Sequence, residues 1–206
     1  MNEKIAKERT RKHFNETADN YVNSNDGRFV QPMYTALIAE LEHIDPGKKL
    51  LDIGCGNGDF FGLIKEKGFE LYGIDLAENM VKAAQNKYGD IADILLSDAE
   101  KLPFPDKMFD IVICNASFHH YTSPLAVLSQ TRRVLKDNGT LLIGDPWMPQ
   151  PVRGLMNYFT KYSNEGDYHY YGKNEMRTLM RKSGLELTEA KRTGKHTILF
   201  KAIPIA

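Results

Sequence analysis

The sequence predicts an α/β fold: a mostly parallel sheet with helices on both faces. Three observations predict it. Five short apolar runs, 49–55, 70–76, 92–98, 109–115 and 139–145, each end near a carboxylate or an amide. Helix-compatible segments separate most of them, and such alternation implies parallel strands with right-handed crossovers. Two further β-like runs, 185–192 and 196–203, are joined by Thr193-Gly194-Lys195, a link so short that it dictates an antiparallel hairpin.

The elements follow in order. Residues 1–45 read as helical. Ile5, Arg9, Lys12 and Glu16 mark a polar first helix, and Met33, Leu37, Ile38, Leu41 and Ile44 form an apolar stripe at helical spacing. This stretch is expected to cap a domain spanning 46–206. Asp45-Pro46-Gly47 is a turn, because Pro fixes φ and Gly tolerates positive φ. The first strand runs into Gly54-Cys55-Gly56-Asn57-Gly58 and a helix over 59–67. The second strand leads to a helix over 77–88. After the third strand, two prolines in the loop 101–108 exclude a long helix. After the fourth, Ser123-Pro124 supplies an N-cap and a first-turn proline for a helix over 125–136, which Asp137-Asn138-Gly139 should end. Beyond Asp145 the pattern lapses until about Lys173, where a helix over 174–182 precedes the hairpin.

Composition narrows the function. The 206 residues fit one domain, and 42% hydrophobic content supports a sizeable core. Lys plus Arg total 27, as do Asp plus Glu, so no general field attracts nucleic acid. The locally basic stretch 173–206 reads as a solvated helix face. Cys55 and Cys114 form no CxxC pair, which fits a reducing, cytoplasmic setting. The N-terminus is too charged for a secretory signal, and no apolar run approaches the ~18 residues of a membrane span.

The sharpest motif is the glycine turn after the first strand. It lets the backbone approach a ligand, and the helix behind it offers free N–H donors. The dinucleotide fingerprint needs Gly or Ala at position 59, and Asp59 stands there. Asp52, two places before Gly54, would repel a pyrophosphate and welcome an ammonium group. Asp75 ends the second strand, where a carboxylate can accept from both ribose hydroxyls; it can equally serve as a helix N-terminal acid. Asp98 could accept from an adenine amino group with the Ala99 backbone beside the ring, or simply face solvent. Met80 could lie on an adenine face or in the core.

Taken together, LDIGCGNG, GIDLAENMVKAA, SDAEKLPFPDKMFDIVICNASFHH and RVLKDNGTLLIGD resemble the successive motifs of class I S-adenosylmethionine-dependent methyltransferases. The similarity is to the small-molecule branch that includes ubiquinone/menaquinone-biosynthesis-type enzymes, and it covers about 49–145. It implies a Rossmann-like seven-stranded sheet with an antiparallel last strand. It also implies a cofactor, S-adenosylmethionine, leaving as S-adenosylhomocysteine. Gly54, Cys55, Gly56 and Asn57, with Asp52, would face the methionine part. Asp75 and Leu76 would face the ribose, and Met80, Asp98 and Ala99 the adenine. Asn115 would line the methyl-bearing end. The stretch 13–21 resembles the family's lead-in motif, in which a tyrosine, here Tyr21, closes over the cofactor.

The acceptor is less legible. The transfer is an in-line displacement, so alignment does most of the work. His119 and His120 follow the fourth strand and are candidates for the acceptor pocket or for a base. Asn115-Ala116-Ser117-Phe118 departs from the Asn-Pro-Pro-Tyr pattern of enzymes that methylate exocyclic amines. Seven of the 21 aromatics fall within 147–171, which reads as an inserted aromatic lid (147–172), a subunit contact or plain packing. Tyr168 and Tyr170 are the substrate candidates there. His13, His43, His169 and His196 are scattered, and no metal is expected. The expected partner is a small-molecule acceptor, with the chain a monomer or homodimer and no nucleic acid or membrane span. The alternatives are a non-catalytic adenosylmethionine binder, a nucleic-acid methyltransferase and a nicotinamide oxidoreductase.

Overall fold

The computed structural model describes residues 3–18, 21 and 28–205. Seven strands form one sheet: β1 (Lys49–Ile53), β2 (Glu70–Asp75), β3 (Ala92–Leu96), β4 (Phe109–Asn115), β5 (Leu135–Pro146), β6 (Leu185–Arg192) and β7 (Thr197–Pro204). Their order is β3-β2-β1-β4-β5-β7-β6. The first five are parallel, and β7 runs antiparallel between β5 and β6.

Among the described residues the α-helices are α1 (Glu3–Thr17), α2 (Gln31–Leu41), α3 (Asp59–Ile64), α4 (Glu78–Tyr88), α5 (Pro124–Val134), α6 (Val152–Phe159) and α7 (Lys173–Lys182). Strand period sends alternate side chains to opposite faces. Leu50, Ile111, Ile113, Leu142 and Leu199 meet α2, α3 and α4 through Leu37, Leu41, Phe60, Phe61 and Val81. Leu51, Val112, Cys114, Leu141 and Phe200 meet α5 and α7 through Val127, Leu128, Met176 and Met180. Helices α1 and α2 take different positions. Helix α2 buries Met33, Leu37 and Leu41 on the sheet, whereas α1 lies over the carboxyl edge and buries only Ala6.

Two segments differ from the sequence expectation. Helix α5 stops at Val134, and β5 starts directly at Leu135, which pairs with Phe109. The register then shifts to Ile111 with Thr140, so Asp137-Asn138-Gly139 forms an irregularity inside the strand rather than a helix end. The lapse after Asp145 contains α6, which has no buried residue. Val152, Leu155, Met156 and Phe159 recur at helical spacing, but all four are exposed, so this stripe faces no part of the core.

Candidate functional site

The carboxyl ends of β3, β2, β1 and β4 lie side by side, and a cavity open to solvent runs along them. Such edges are where open α/β sheets bind ligands. Strand order sets the order of the lining. Ser97, Asp98 and Ala99 follow β3. Asp75 and Leu76 follow on β2, Gly54 and Gly56 on β1, and Asn115, Ala116 and Ser117 on β4. Lys7, Thr10 and Phe14 of α1, together with Tyr21, cover the cavity.

The glycine turn follows from local geometry. Gly54, Gly56 and Gly58 all have positive φ, and a Cβ at Gly54 would sit 2.7 Å from Ser117 Cβ and Oγ. That close approach is fixed from the other side, because Ser117 Oγ and Tyr121 OH both donate to the Ile53 carbonyl, at 2.9 and 3.2 Å. A Cβ at Gly56 would meet nothing nearer than Met80 Sδ at 4.0 Å, so this backbone is open to the cavity. The Gly56 and Ala77 N–H groups donate to the two Asp75 oxygens at 2.9 and 2.8 Å. Burial raises the Asp75 carboxyl above the usual range, and these N–H bonds oppose the rise.

Asp52, Cys55 and Asn57 do not line the cavity; all three are buried. Asn57 Oδ1 accepts from the Asp59 N–H at 3.3 Å, at the start of α3. Asp52 Oδ1 has no hydrogen-bond partner, and burial, reinforced by the Asp75 charge, pushes its carboxyl up to about 7. Asn115 Oδ1 is likewise buried without a partner. Asp98 lines the cavity but is already engaged. Its Oδ1 accepts from the Glu100 N–H at 3.0 Å, and its Oδ2 pairs with Lys7, which also reaches Glu100. Met80 is fully buried and lines the cavity as well, so it serves core and wall together.

A second cavity continues the first toward β5. Phe14, Tyr21, Ala116 and His120 line both. Beyond them the wall includes His119, Pro146, Met148, Asp167 and Tyr170, with Phe29 and Val30, and the ionisable Glu165 and His196. His119 Nδ1 lies 2.9 Å from Asp145 Oδ1, and Asp145 is 1% exposed at the end of β5. The carboxylate fixes the ring so that Nε2 is turned toward Asp167 Oδ1, 3.5 Å away.

Of the substrate candidates, His119, His120 and Tyr170 converge here. Tyr168 does not: its backbone N–H donates to the His119 carbonyl at 2.9 Å, and its residue lines an outer depression with Asn157 and Lys161. Sequence reasoning assigned no role to Asp145, Asp167, Phe14 or Lys7. Asp145 carried a signal, a carboxylate ending an apolar run; Asp167 carried none. The scattered histidines are His13, His43, His169 and His196; His119, His120 and Asp167 are a different group, and each places a donor atom within 4.8 Å of the others. Spacing hid this, because Asp167 comes from a distant loop. Among the described residues, no helix is long and apolar enough to cross a membrane.

The comparisons agree with this geometry. Residues 51–143 match the family model described as a methyltransferase domain. A ubiquinone/menaquinone biosynthesis C-methyltransferase UbiE from Paraburkholderia xenovorans is 30% identical over 203 residues, covering 84% of this chain and 82% of the relative. The corresponding enzyme of Paraburkholderia phymatum is 33% identical over 138 residues, covering 63% of this chain and 57% of the relative. Among solved structures, the Burkholderia thailandensis 1,6-didemethyltoxoflavin-N1-methyltransferase with bound 1,6-didemethyltoxoflavin and S-adenosylhomocysteine superposes with a TM-score of 0.79 at 17% identity, covering 100% of this chain and 92% of that one. An S-adenosylmethionine-dependent methyltransferase from Aquifex aeolicus gives 0.71 at 21% identity, covering 95% and 98%. The glycine turn, the strand-end carboxylates and this kinship together place the chain in the class I S-adenosylmethionine-dependent methyltransferases, ubiquinone/menaquinone-biosynthesis-like: it is an enzyme that uses S-adenosylmethionine as its methyl donor.

Proposed function

We propose that the first cavity holds S-adenosylmethionine along the strand ends and that the second holds a small-molecule acceptor, apolar or aromatic in character. One observation carries this reading. The two cavities follow strand order and share Phe14, Tyr21, Ala116 and His120, so a donor in one meets an acceptor in the other at that common wall. When bound, the cofactor supplies a methyl group on a sulfonium, already activated for displacement.

The residues fit such a group. The Gly56 backbone is open to the cavity, which suits close approach of the ligand's amino-acid part. Asp75 stands in the wall where ribose hydroxyls would donate. The buried, unpartnered Asp52 carboxylate favours a nearby cation such as an ammonium, although it acts from behind the wall. Ala99 and Leu76 supply apolar surface for a flat ring. For the adenine amino group, Asp98 serves only by sharing its carboxylate with Lys7. The Lys7 pair makes α1 a gate: the helix has to release or accommodate whatever enters at the β3 end.

On the acceptor side the chain's main contribution is alignment and exclusion of water. Phe14, Tyr21, Met148 and Tyr170 give an apolar wall, and His119, held by Asp145, presents a nitrogen lone pair toward the cavity. Relatives that act on ring compounds support a ring acceptor. The segment 147–172 then serves as the aromatic cover only in part. Tyr170 and Met148 face the acceptor cavity, while Tyr158, Phe159 and Tyr162 are exposed. We place the enzyme in the cytoplasm, acting without nucleic acid, as a monomer or homodimer.

Titration calorimetry tests the reading. S-adenosylhomocysteine should bind one to one and NADH should not. A methyl-transfer assay on quinol, phenol and fused-ring heterocycle metabolites should then give turnover. Tight NADH binding without S-adenosylhomocysteine binding would overturn the cofactor assignment. Cofactor binding without turnover on any ring acceptor would overturn the acceptor class.

A further inference from the structure

His119, His120 and Asp167 are drawn together from two segments that share no sequence motif. His119 and His120 sit in the turn Phe118–His120 after β4, and Asp167 sits in the loop between α6 and α7. The loop is pinned to the turn, since the Tyr168 and His169 N–H groups both donate to the His119 carbonyl, at 2.9 and 3.0 Å.

We propose that His119 Nε2, His120 Nδ1 and Asp167 Oδ1 form a binding site for a divalent first-row transition-metal ion in the acceptor cavity.

Three observations carry it. First, the spacing suits a shared ion better than direct bonding. Asp167 Oδ1 is 3.5 Å from His119 Nε2 and 3.7 Å from His120 Nδ1, both longer than a good N–H···O bond. Ligands about 2.05 Å from a tetrahedral ion stand about 3.4 Å apart. Second, His120 Nδ1 is buried with no hydrogen-bond partner, in a residue 7% exposed. Third, the groups behind the donors are arranged as metal sites need. Asp145 Oδ1 receives His119 Nδ1–H at 2.9 Å, which leaves Nε2 as the ligating atom. Ser163 Oγ donates to Asp167 Oδ2 at 3.0 Å, which leaves Oδ1 toward the histidines.

Two imidazoles and one carboxylate select zinc, iron or manganese over calcium, and three protein ligands leave at least one position open. That position suits an ionisable oxygen of the acceptor, such as a phenol or an enol. This last role rests on the second cavity being the acceptor pocket; the ion site itself does not.

The test uses the full chain, free of any histidine tag and stripped with chelator. Calorimetry with zinc should show one site, and cobalt(II) should give the intense visible bands of a four- or five-coordinate ion. Asp167→Asn and His119→Gln should each weaken zinc binding at least tenfold while S-adenosylhomocysteine affinity stays within threefold, which also certifies folding. If one variant fails to bind S-adenosylhomocysteine, the other and the wild-type cobalt spectrum decide. No single-site zinc binding, or zinc affinity unchanged in the folded variants, would overturn the site. S-adenosylhomocysteine binding without zinc binding defeats only the metal proposal. Zinc binding without S-adenosylhomocysteine binding defeats only the cofactor reading.

Discussion

The wall of the first cavity is made of strand ends and the turns just after them, with α1 laid on top. The second cavity draws Phe14 from α1, His119 from the turn after β4, Pro146 from the end of β5, and Asp167 and Tyr170 from one loop. In the first, neighbours in space are mostly neighbours in a short peptide, and backbone atoms do much of the shaping. In the second, side chains far apart in sequence must arrive together. A site of the first kind tolerates few backbone changes. A site of the second kind can change its ligand by changing one loop.

The largest expected effect breaks the first cavity through its backbone. Gly54→Val puts a branched side chain at φ +77°, with its Cβ 2.7 Å from Ser117. Strain and displacement of the turn should lower S-adenosylhomocysteine affinity about 100-fold, read by calorimetry. Asp145→Asn attacks the second cavity instead. It removes the carboxylate that orients His119, and methyl transfer should fall about 10- to 100-fold with S-adenosylhomocysteine affinity unchanged. Equal loss in both readouts would show that the cavities are not separable. Asp75→Ala should weaken the cofactor about tenfold or more, about 1.4 kcal/mol, by removing the acceptor of the ribose hydroxyls.

Asp52→Asn sharpens the comparison through stability. The Asp52 carboxyl is pushed up to about 7 by burial and by Asp75, against an ordinary value of 3.8. The folded chain therefore holds a proton that the unfolded chain releases. Wild-type stability is lost as pH rises from about 4 through 7, and the loss is complete above that. The variant carries no such charge, so ligand-free Asp52→Asn should be the more stable protein above pH 7, by on the order of 1 kcal/mol. Thermal melts across pH 4–8 check this; a constant difference across that range would mean that Asp52 is not the titrating group. The smallest effect is expected from Lys7→Ala. A partly exposed ion pair contributes about 1 kcal/mol or less, so cofactor release should quicken only a few-fold in stopped flow.

How much of this the sequence contained varies by element. The seven strands, the hairpin and the helix-free loop at 101–108 follow from apolar runs, turn length and proline, all of them local signals. The strand-end residues Gly54, Gly56, Asp75, Leu76, Asp98, Ala99 and Asn115 reach one cavity because parallel strands end at the same edge. Asp52, Cys55 and Asn57 belong to the same motif but face the interior, since a tight turn cannot aim every side chain at the ligand. Helix α6 went unassigned although Val152, Leu155, Met156 and Phe159 recur at helical spacing, since the run is short and its stripe lies exposed rather than in the core.

The sequence by itself determined the sheet, its ligand edge and the peptides that cradle the donor. Each of these depends on residues a few positions apart, whose geometry the chain fixes locally. Only the tertiary structure decided that Asp145 holds His119, that Asp167 faces both histidines, that Tyr170 points in while Tyr168 points out, and that Lys7 engages Asp98. Those relations join segments as much as 91 residues apart, from Lys7 to Asp98. Packing of whole elements sets such distances, and no local pattern encodes them.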